Sequence, residues 1–380
     1  MVVERFSAWA AEADVQERIE SVTEVAKLLI HADSGEDDRQ AASKILTLCL
    51  DDDDCRVRAA IADVLANAIE APNALIWSLA HDIGEVAFPI YRFSQQMCDS
   101  VLIAAIGQRG PMVDVAIAGR AGLTVAVVEK LISDAEPEAV LELLQNKSVR
   151  LGPVLTHDIS LRHGGTAEIR NLLLERDDLE SHTRQMLVAS LGRELADLAG
   201  QNEWMSADRA QTIAHDSVNR SSVELAFSTG REELGTLVEH LINTGQMTPA
   251  LLVRAICMGN HQLFERALAI LSDTGLSKVS SIVEEGRAST FRALYRKTGL
   301  PENAYPVFAA AIEVWRDMVD EENGMVSEAD LNGRAIEQIV ERVTPQAFVD
   351  PSLINLLHRL RSEAARDCAY QDDQNLLFAA

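Results

Sequence analysis

Apolar residues recur at helical spacing almost from one end of this 380-residue chain to the other. Val57, Ile61, Val64 and Ala68 fall four, three and four apart, which lines one face of a helix. Leu75, Ile76 and Leu79 repeat the pattern, as do Val127, Val128, Leu131 and Ile132, and then Leu187, Leu191 and Leu195. Clean two-residue alternation over a strand's length is hard to find, and neither Asn323-Gly324 nor Asn332-Gly333 sits between alternating segments. The breaks are short, at Pro72, Gly110-Pro111, Pro137, Gly164-Gly165 and Pro301. Thr124 and Ser327 suit helix N-caps, and Asp350-Pro351 joins a capping carboxylate to a proline in the first turn. These features predict an all-α protein, with HEAT-like helical hairpins stacked into an α-solenoid or array.

Composition narrows the function classes. Hydrophobic residues make up 47% of the chain and aromatics only 4%, so Leu, Ala, Val and Ile must build the core. A net charge of −25 opposes binding to nucleic acid and to anionic lipid, and favours a partner with a basic face. Cys49, Cys55, Cys98, Cys257 and Cys368 are scattered with no CxxC pair, which reads as reduced thiols in a cytoplasmic protein. The first residues, MVVERFSAWAAEADV, carry Glu4 and Glu12 and no long apolar run, so no secretory signal is expected. The most apolar windows are interrupted by Asp63, Glu70 and Pro72, so no membrane span is expected either.

Four consecutive aspartates, Asp51 to Asp54, precede the apolar run CRVRAAIADVL. A calcium loop would need alternating ligands, a central Gly and a distal Glu, which are missing. Asp54 instead reads as the N-cap of the next helix, with Asp51 to Asp53 filling the turn before it. Degenerate repeats are visible. DCRVR at Asp54 to Arg58 and NKSVR at Asn146 to Arg150 share a capping residue with Val three on and Arg four on. RAGLTVAVVEKL from Arg120 and RDDLESHTRQML from Arg176 both place Leu three and eleven after the Arg. The organisation expected is an N-terminal array over 1–200, a soft boundary over 201–222 that is polar but carries helical spacing, a C-terminal array over 223–365 and a flexible tail over 366–380.

The stretch DDDDCRVRAAIADVLANAIEAPNALIWSLAHDIGEVAFPIYRFS resembles the alphaproteobacterial family called domain of unknown function 2336, which is related to HEAT repeats. The features that carry the resemblance are Asp54, Val57, Arg58, Pro72, Asp82, Val86, Ala87, Pro89 and Ser94, then Ala116, Arg120, Leu123 and Asn146. The segments LINTGQMTPALLVRAICMGNHQLFERALAILSD and FRALYRKTGLPENAYPVFAAAI resemble the far end of the family, so the likeness runs over residues 15 to 365. One departure is Cys98, where a Ser or Asp cap would be expected before Asp99. The resemblance implies a cytoplasmic helical-repeat protein with no established activity.

No phosphate-binding GxxxxGK[ST] or GxGxxG, no GxSxG elbow and no HExxH occurs. No catalytic residue, metal or cofactor is therefore expected. The expected function is that of a non-enzymatic scaffold or adaptor holding a protein or peptide partner. Its candidate contacts are Arg58, Arg120, Arg150 and Arg176, which could form a ladder along one face or pair with neighbouring carboxylates. Trp77 and Tyr91 are the aromatic candidates. As structural residues, Trp77 and Phe93 would fill the core with Tyr91 half exposed, and Pro89 would sit in the first turn of its helix. The alternative function is an enzyme, for example a metal-assisted hydrolase, with a site between the two halves around His157, Asp158 and His163. Six residues put those histidines on different faces of an ideal helix, so such a site needs a loop between them.

Overall fold

The computed structural model describes residues 2–31, 35–321, 328–345 and 348–378; the side chains of 2, 319–330 and 367–378 fall outside that description. Its contacts divide the chain into two compact units, Met1–Leu179 and Glu180–Ala380. The described residues hold twenty-two α-helices and one short 3-10 turn, Glu302–Ala304, and contain no strand. The all-α expectation is met.

Unit 1 contains α1 (Val2–Ala10), α2 (Val15–Ile30), α3 (Glu36–Cys49), α4 (Cys55–Leu65), α5 (Asn73–Ala80), α6 (Gly84–Phe93), α7 (Asp99–Ala105), α8 (Pro111–Ala118), α9 (Val125–Asp134), α10 (Pro137–Gln145), α11 (Pro153–His163) and α12 (Ala167–Leu174). Most are only two to three turns long. Alone they would melt, so each must bury its apolar face on a neighbour. They do so in two rows. α2, α4, α6, α8, α10 and α12 each pack on the next, and α7, α9 and α11 form a second row. Between α4 and α12 a new hairpin starts every 26 to 30 residues, at 55, 84, 111, 137 and 167. That period is well short of the roughly 40–47 residues of HEAT and armadillo units.

Asp54 caps α4 as expected: its carboxylate accepts the Arg56 backbone N–H at 2.9 Å, and the Asp52 carboxylate accepts the Asp54 N–H at 2.9 Å. The Arg56 side chain, then its backbone N–H, hold the Asp54 carboxyl down at about 2. The aspartate run thus builds a turn and a helix start. Pro89 differs from expectation. It is the sixth residue of α6 and buried, so the helix loses one internal hydrogen bond there, to the Glu85 carbonyl.

Unit 2 contains α13 (Ser181–Gln201), α14 (Ala207–Ser228), α15 (Arg231–Asn243), α16 (Pro249–Cys257), α17 (His261–Leu271), α18 (Leu276–Glu285), α19 (Ala288–Lys297), α20 (Tyr305–Glu321), α21 (Glu328–Val343) and α22 (Pro351–Phe378). The next-but-one pattern persists from α13 to α15, α17 and α19. The later helices then close around α16, which touches α14, α17, α20, α21 and α22. Every residue from Leu251 to Cys257 is buried, including Arg254. Asp350 starts α22 by accepting the Ser352 N–H at 2.8 Å, with Pro351 in the first turn. The cap expected at Ser327 and, from residue 367 on, the tail expected over 366–380 lie outside the described side chains.

The stretch 201–222 spans the end of α13, its connection to α14 and most of α14. The division between units falls about twenty residues earlier, after Leu179. Polarity there reflects a helix pair whose far half buries only a small cluster, Ala196, Ala199 and Ala210, with Met205 and Ala214 against it. Gly192 permits the approach, since a Cβ on it would lie 2.6 Å from a Val218 methyl.

Candidate interaction surface

The four arginines do not form a ladder open to a partner. Arg58 forks onto Asp82 at 2.6 and 3.0 Å and also donates to the Asp52 carbonyl. Its side chain is only 15% exposed. This ties the start of α4 to the turn between α5 and α6. Arg120 donates to the carbonyls of Tyr91 at 2.5 Å and Ser94 at 2.9 Å. Burial lowers its pKa, so the charge is held by those carbonyl dipoles in a partly dry setting. Arg176 forks onto Asp178 at 2.8 and 2.7 Å and reaches the Leu151 carbonyl at 3.5 Å. Arg150 is exposed.

Two of these residues belong to a different ladder, which sequence reasoning saw only in fragments. After each of α6, α8, α10 and α12, one polar side chain reaches back about one hairpin to a carbonyl in the helix end or connection of the previous one. Gln96 donates to Ala71 at 2.8 Å. Arg120 takes Tyr91 and Ser94. Asn146 donates to Ala118 at 2.9 Å and Arg120 at 2.7 Å. Arg176 takes Leu151. Tyr91, Ser94, Ala118 and Arg120 lie at or just past helix ends, where carbonyls lack an intrahelical donor, and Ala71 and Leu151 lie in the connections before α5 and α11, so each latch satisfies a carbonyl outside the helical ladder while fixing a hairpin on its predecessor. Gln96 gave no signal, because the four positions share a role and no residue type.

The aromatic expectation inverts. Tyr91 is 1% exposed, whereas Trp77 is 39% and Phe93 51% exposed. In α6 the inward pairs are Val86 with Ile90 and Ala87 with Tyr91, each one turn apart, and Phe93 lies at the helix end beyond them. Tyr91 is therefore core and unavailable to a partner. Trp77 lies against His81 with ring centroids 5.8 Å apart, and His81 ends α5. Ile69 at 75% and Ile83 at 49% exposure are further large apolar side chains on this part of unit 1.

His157 and His163 both lie on α11, with no loop between them. His163 bonds the Ile132 carbonyl at 3.0 Å instead. Among the described residues no group of three His, Cys, Asp or Glu side chains is placed to hold a metal ion. Among them, too, no helix is long and apolar enough to cross a membrane. The Cys98 cap of α7 makes a thiol–hydroxyl contact with Ser100 at 3.2 Å.

The Arg58–Asp82 pair makes unit 1 sensitive to acid. The Arg58 hydrogen bond holds the Asp82 carboxyl below its ordinary value. A depressed carboxyl contributes stability above its unfolded pKa, about 3.9, and loses it as pH falls through the folded value. Asp82→Asn is expected to weaken the protein at neutral pH and to flatten the loss of stability below about pH 4. Urea unfolding at a series of pH values checks this. An unchanged acid slope would show that the pair is not the sensitive group.

Fold and surface together define an all-helical chain of short latched hairpins followed by a helix bundle. The chain belongs to the family described as uncharacterised protein conserved in bacteria (DUF2336), whose model matches residues 86–349. That span opens at Val86 in α6, so Asp54, Val57, Arg58 and Asp82 lie ahead of it. No curated protein and no solved structure matches the chain.

Proposed function

We propose that the chain is a non-enzymatic scaffold or adaptor of the cytoplasm that holds a protein or peptide partner on its helical hairpins. The observation that supports this is the exposure of Trp77 and Phe93 in a chain with so few aromatics. A large ring left in water contributes little to folding and a great deal when a partner covers it. Exposed Arg150 supplies a cation on the same unit. The described cysteines, Cys49, Cys55, Cys98 and Cys257, are free thiols, which suits a reducing compartment.

The test is a Trp77→Ser, Phe93→Ser double variant. Its circular dichroism is expected to match the parent, with a modest fall in melting temperature, because Trp77 at 39% and Phe93 at 51% exposure still bury part of their rings. Proteins captured from native lysate by the parent are then compared with those captured by the variant, at low and moderate salt. A partner retained by the parent and bound at least tenfold more weakly by the variant in purified form supports the reading. Identical capture by both proteins, or capture of nothing by the parent, overturns it.

A further inference from the structure

Residues 286–301 contain Arg287, Arg292, Arg296 and Lys297 and no Asp or Glu, in a chain whose 59 acidic residues outnumber its 34 basic ones. The four cations sit on α19 in unit 2. Phe291, Leu294 and Tyr295 are buried on one side of that helix. Ser289, Arg292, Ala293 and Arg296 line the opposite side at helical spacing, with Lys297 beside them, and all five are exposed. Arg287 is exposed at the N-cap.

Helix stability alone does not account for this arrangement. Arg287 puts a cation at the positive end of the helix dipole, makes no side-chain cap bond, and is followed by a first turn without an acid. Arg292 and Arg296 are like charges one turn apart on the same stripe, which weakens a helix. Arg296 and Lys297 gain from the negative end of the dipole, but that explains neither Arg287 nor Arg292. Local choices that cost stability without serving the fold are expected where a surface has another task. Two of the cations are partly answered at the ends of the patch: Glu285 lies 3.5 Å from Arg287, and Glu302 lies 3.1 Å from Arg296. Among the described residues neither Arg292 nor Lys297 pairs with a carboxylate. Arg292 instead lies 5.2 Å over the Tyr305 ring, which holds its guanidinium in place without neutralising it.

We propose that the exposed face of α19 docks a short acidic peptide segment, whose carboxylates pair with Arg287, Arg292, Arg296 and Lys297. Arginine forks match carboxylates, and Glu302 already meets Arg296 in this way from within the molecule. Arg292 and Arg296 are about 6 Å apart along the helix axis, with Arg287 about 7.5 Å further back. Alternate side chains of an extended peptide recur at about 6.6 Å, so acids at every second position keep step with the arginines. The total charge of −25 repels a long polyanion such as nucleic acid from a distance. A segment with three or four carboxylates responds mainly to the cations within a screening length of about 10 Å at 0.1 M salt. This surface is independent of the partner-binding reading above, since it rests on the other unit and other residues.

The test is fluorescence anisotropy of a labelled peptide carrying glutamate at three alternate positions, titrated with the full chain at low salt. Saturation is expected at millimolar concentration or below. The same peptide with glutamine in place of glutamate is expected to bind at least tenfold more weakly, because each exposed ion pair contributes only a severalfold factor and three are lost. The Arg292→Glu, Lys297→Glu double variant is expected to fold as the parent, since it breaks no ion pair and turns the Arg292–Arg296 repulsion into an attraction. Its affinity for the glutamate peptide is expected to fall at least tenfold. Arg193→Glu, Arg209→Glu is the control: both residues are exposed on α13 and α14 of the same unit, the change in net charge is the same, and peptide binding is expected to stay within threefold of the parent. The comparison of the two peptides on the parent stands whether or not either variant folds. Absence of saturation, equal binding of the two peptides, undiminished binding by the first variant, or an equal loss in the control would overturn the proposal. Tighter binding of an oligothymidylate of matching length would overturn it too, by assigning the face to nucleic acid.

Discussion

Replacing Glu363 with alanine is expected to destabilise unit 2 by about 3 kcal/mol. Glu363 lies on α22 and forks onto Arg254 of the central helix α16, with Nη1 to Oε2 at 2.6 Å and Nη2 to Oε1 at 3.3 Å. The Arg254 side chain is 3% exposed, so alanine at 363 leaves a guanidinium buried without its counter-charge. Breaking such a pair from one side typically costs about 3–5 kcal/mol. The low end applies because the Glu363 side chain is 30% exposed and water reaches the vacated position. Removing both charges is a different experiment. The Arg254→Met, Glu363→Leu double variant fills the same space with apolar groups and is expected to lie near the parent. Cys257 provides a local readout. It is fully buried one turn further along α16, and burial pushes its thiol up to about 12, so it reacts only when the helix opens. Labelling of Cys257 should accelerate in E363A and not in the double variant. Equal urea midpoints for E363A and the parent would show that the pair does not hold α22 to the bundle.

The contrast between the units explains what could be read from the residues alone. Helical spacing is a local property, so Leu75, Ile76, Leu79, Val127, Val128, Leu131 and Ile132 all proved to be core. The Asp54 cap and the Asp350-Pro351 start were legible for the same reason, because a cap concerns three or four consecutive residues. Position relative to a neighbour is not local. Leu195 continues the spacing of Leu187 and Leu191, yet it is 58% exposed, because eight residues turn the helix about 80° past Leu187 and Ala196 and Ala199 take the inward positions. Tyr91, Trp77 and Phe93 have comparable hydrophobicity, and only the directions in which α5 and α6 face separate the buried one from the exposed ones. The Gln185 amide, whose nitrogen is shared by Ser222 and Gln246 thirty-seven and sixty-one residues away, was likewise invisible in the sequence.

Replacing Arg120 with methionine is expected to cost unit 1 about 2–4 kcal/mol, from two charge-assisted hydrogen bonds of about 1.5–3 kcal/mol each less the desolvation that the buried guanidinium no longer suffers. Methionine keeps an unbranched apolar stem, so the loss reports the latch and not a large cavity. The carbonyls left behind are those of Tyr91 and Ser94, which are 1% and 0% exposed, and water cannot readily replace the donor. Lysine should not rescue the protein, since one ammonium lacks the planar fork that reaches two carbonyls at once. Arg150→Met is the matched control. Arg150 and Arg58 hold the same place in the DCRVR and NKSVR repeats, yet Arg150 is exposed, and its loss is expected to stay within about 0.5 kcal/mol. Denaturation of the two variants side by side therefore separates a latch arginine from an exposed one. A large cost at 120 with none at 150 means that the latches set the hairpin spacing. Similar small costs at both would mean that apolar contacts between the rows suffice, and that the ladder of Gln96, Arg120, Asn146 and Arg176 merely decorates them.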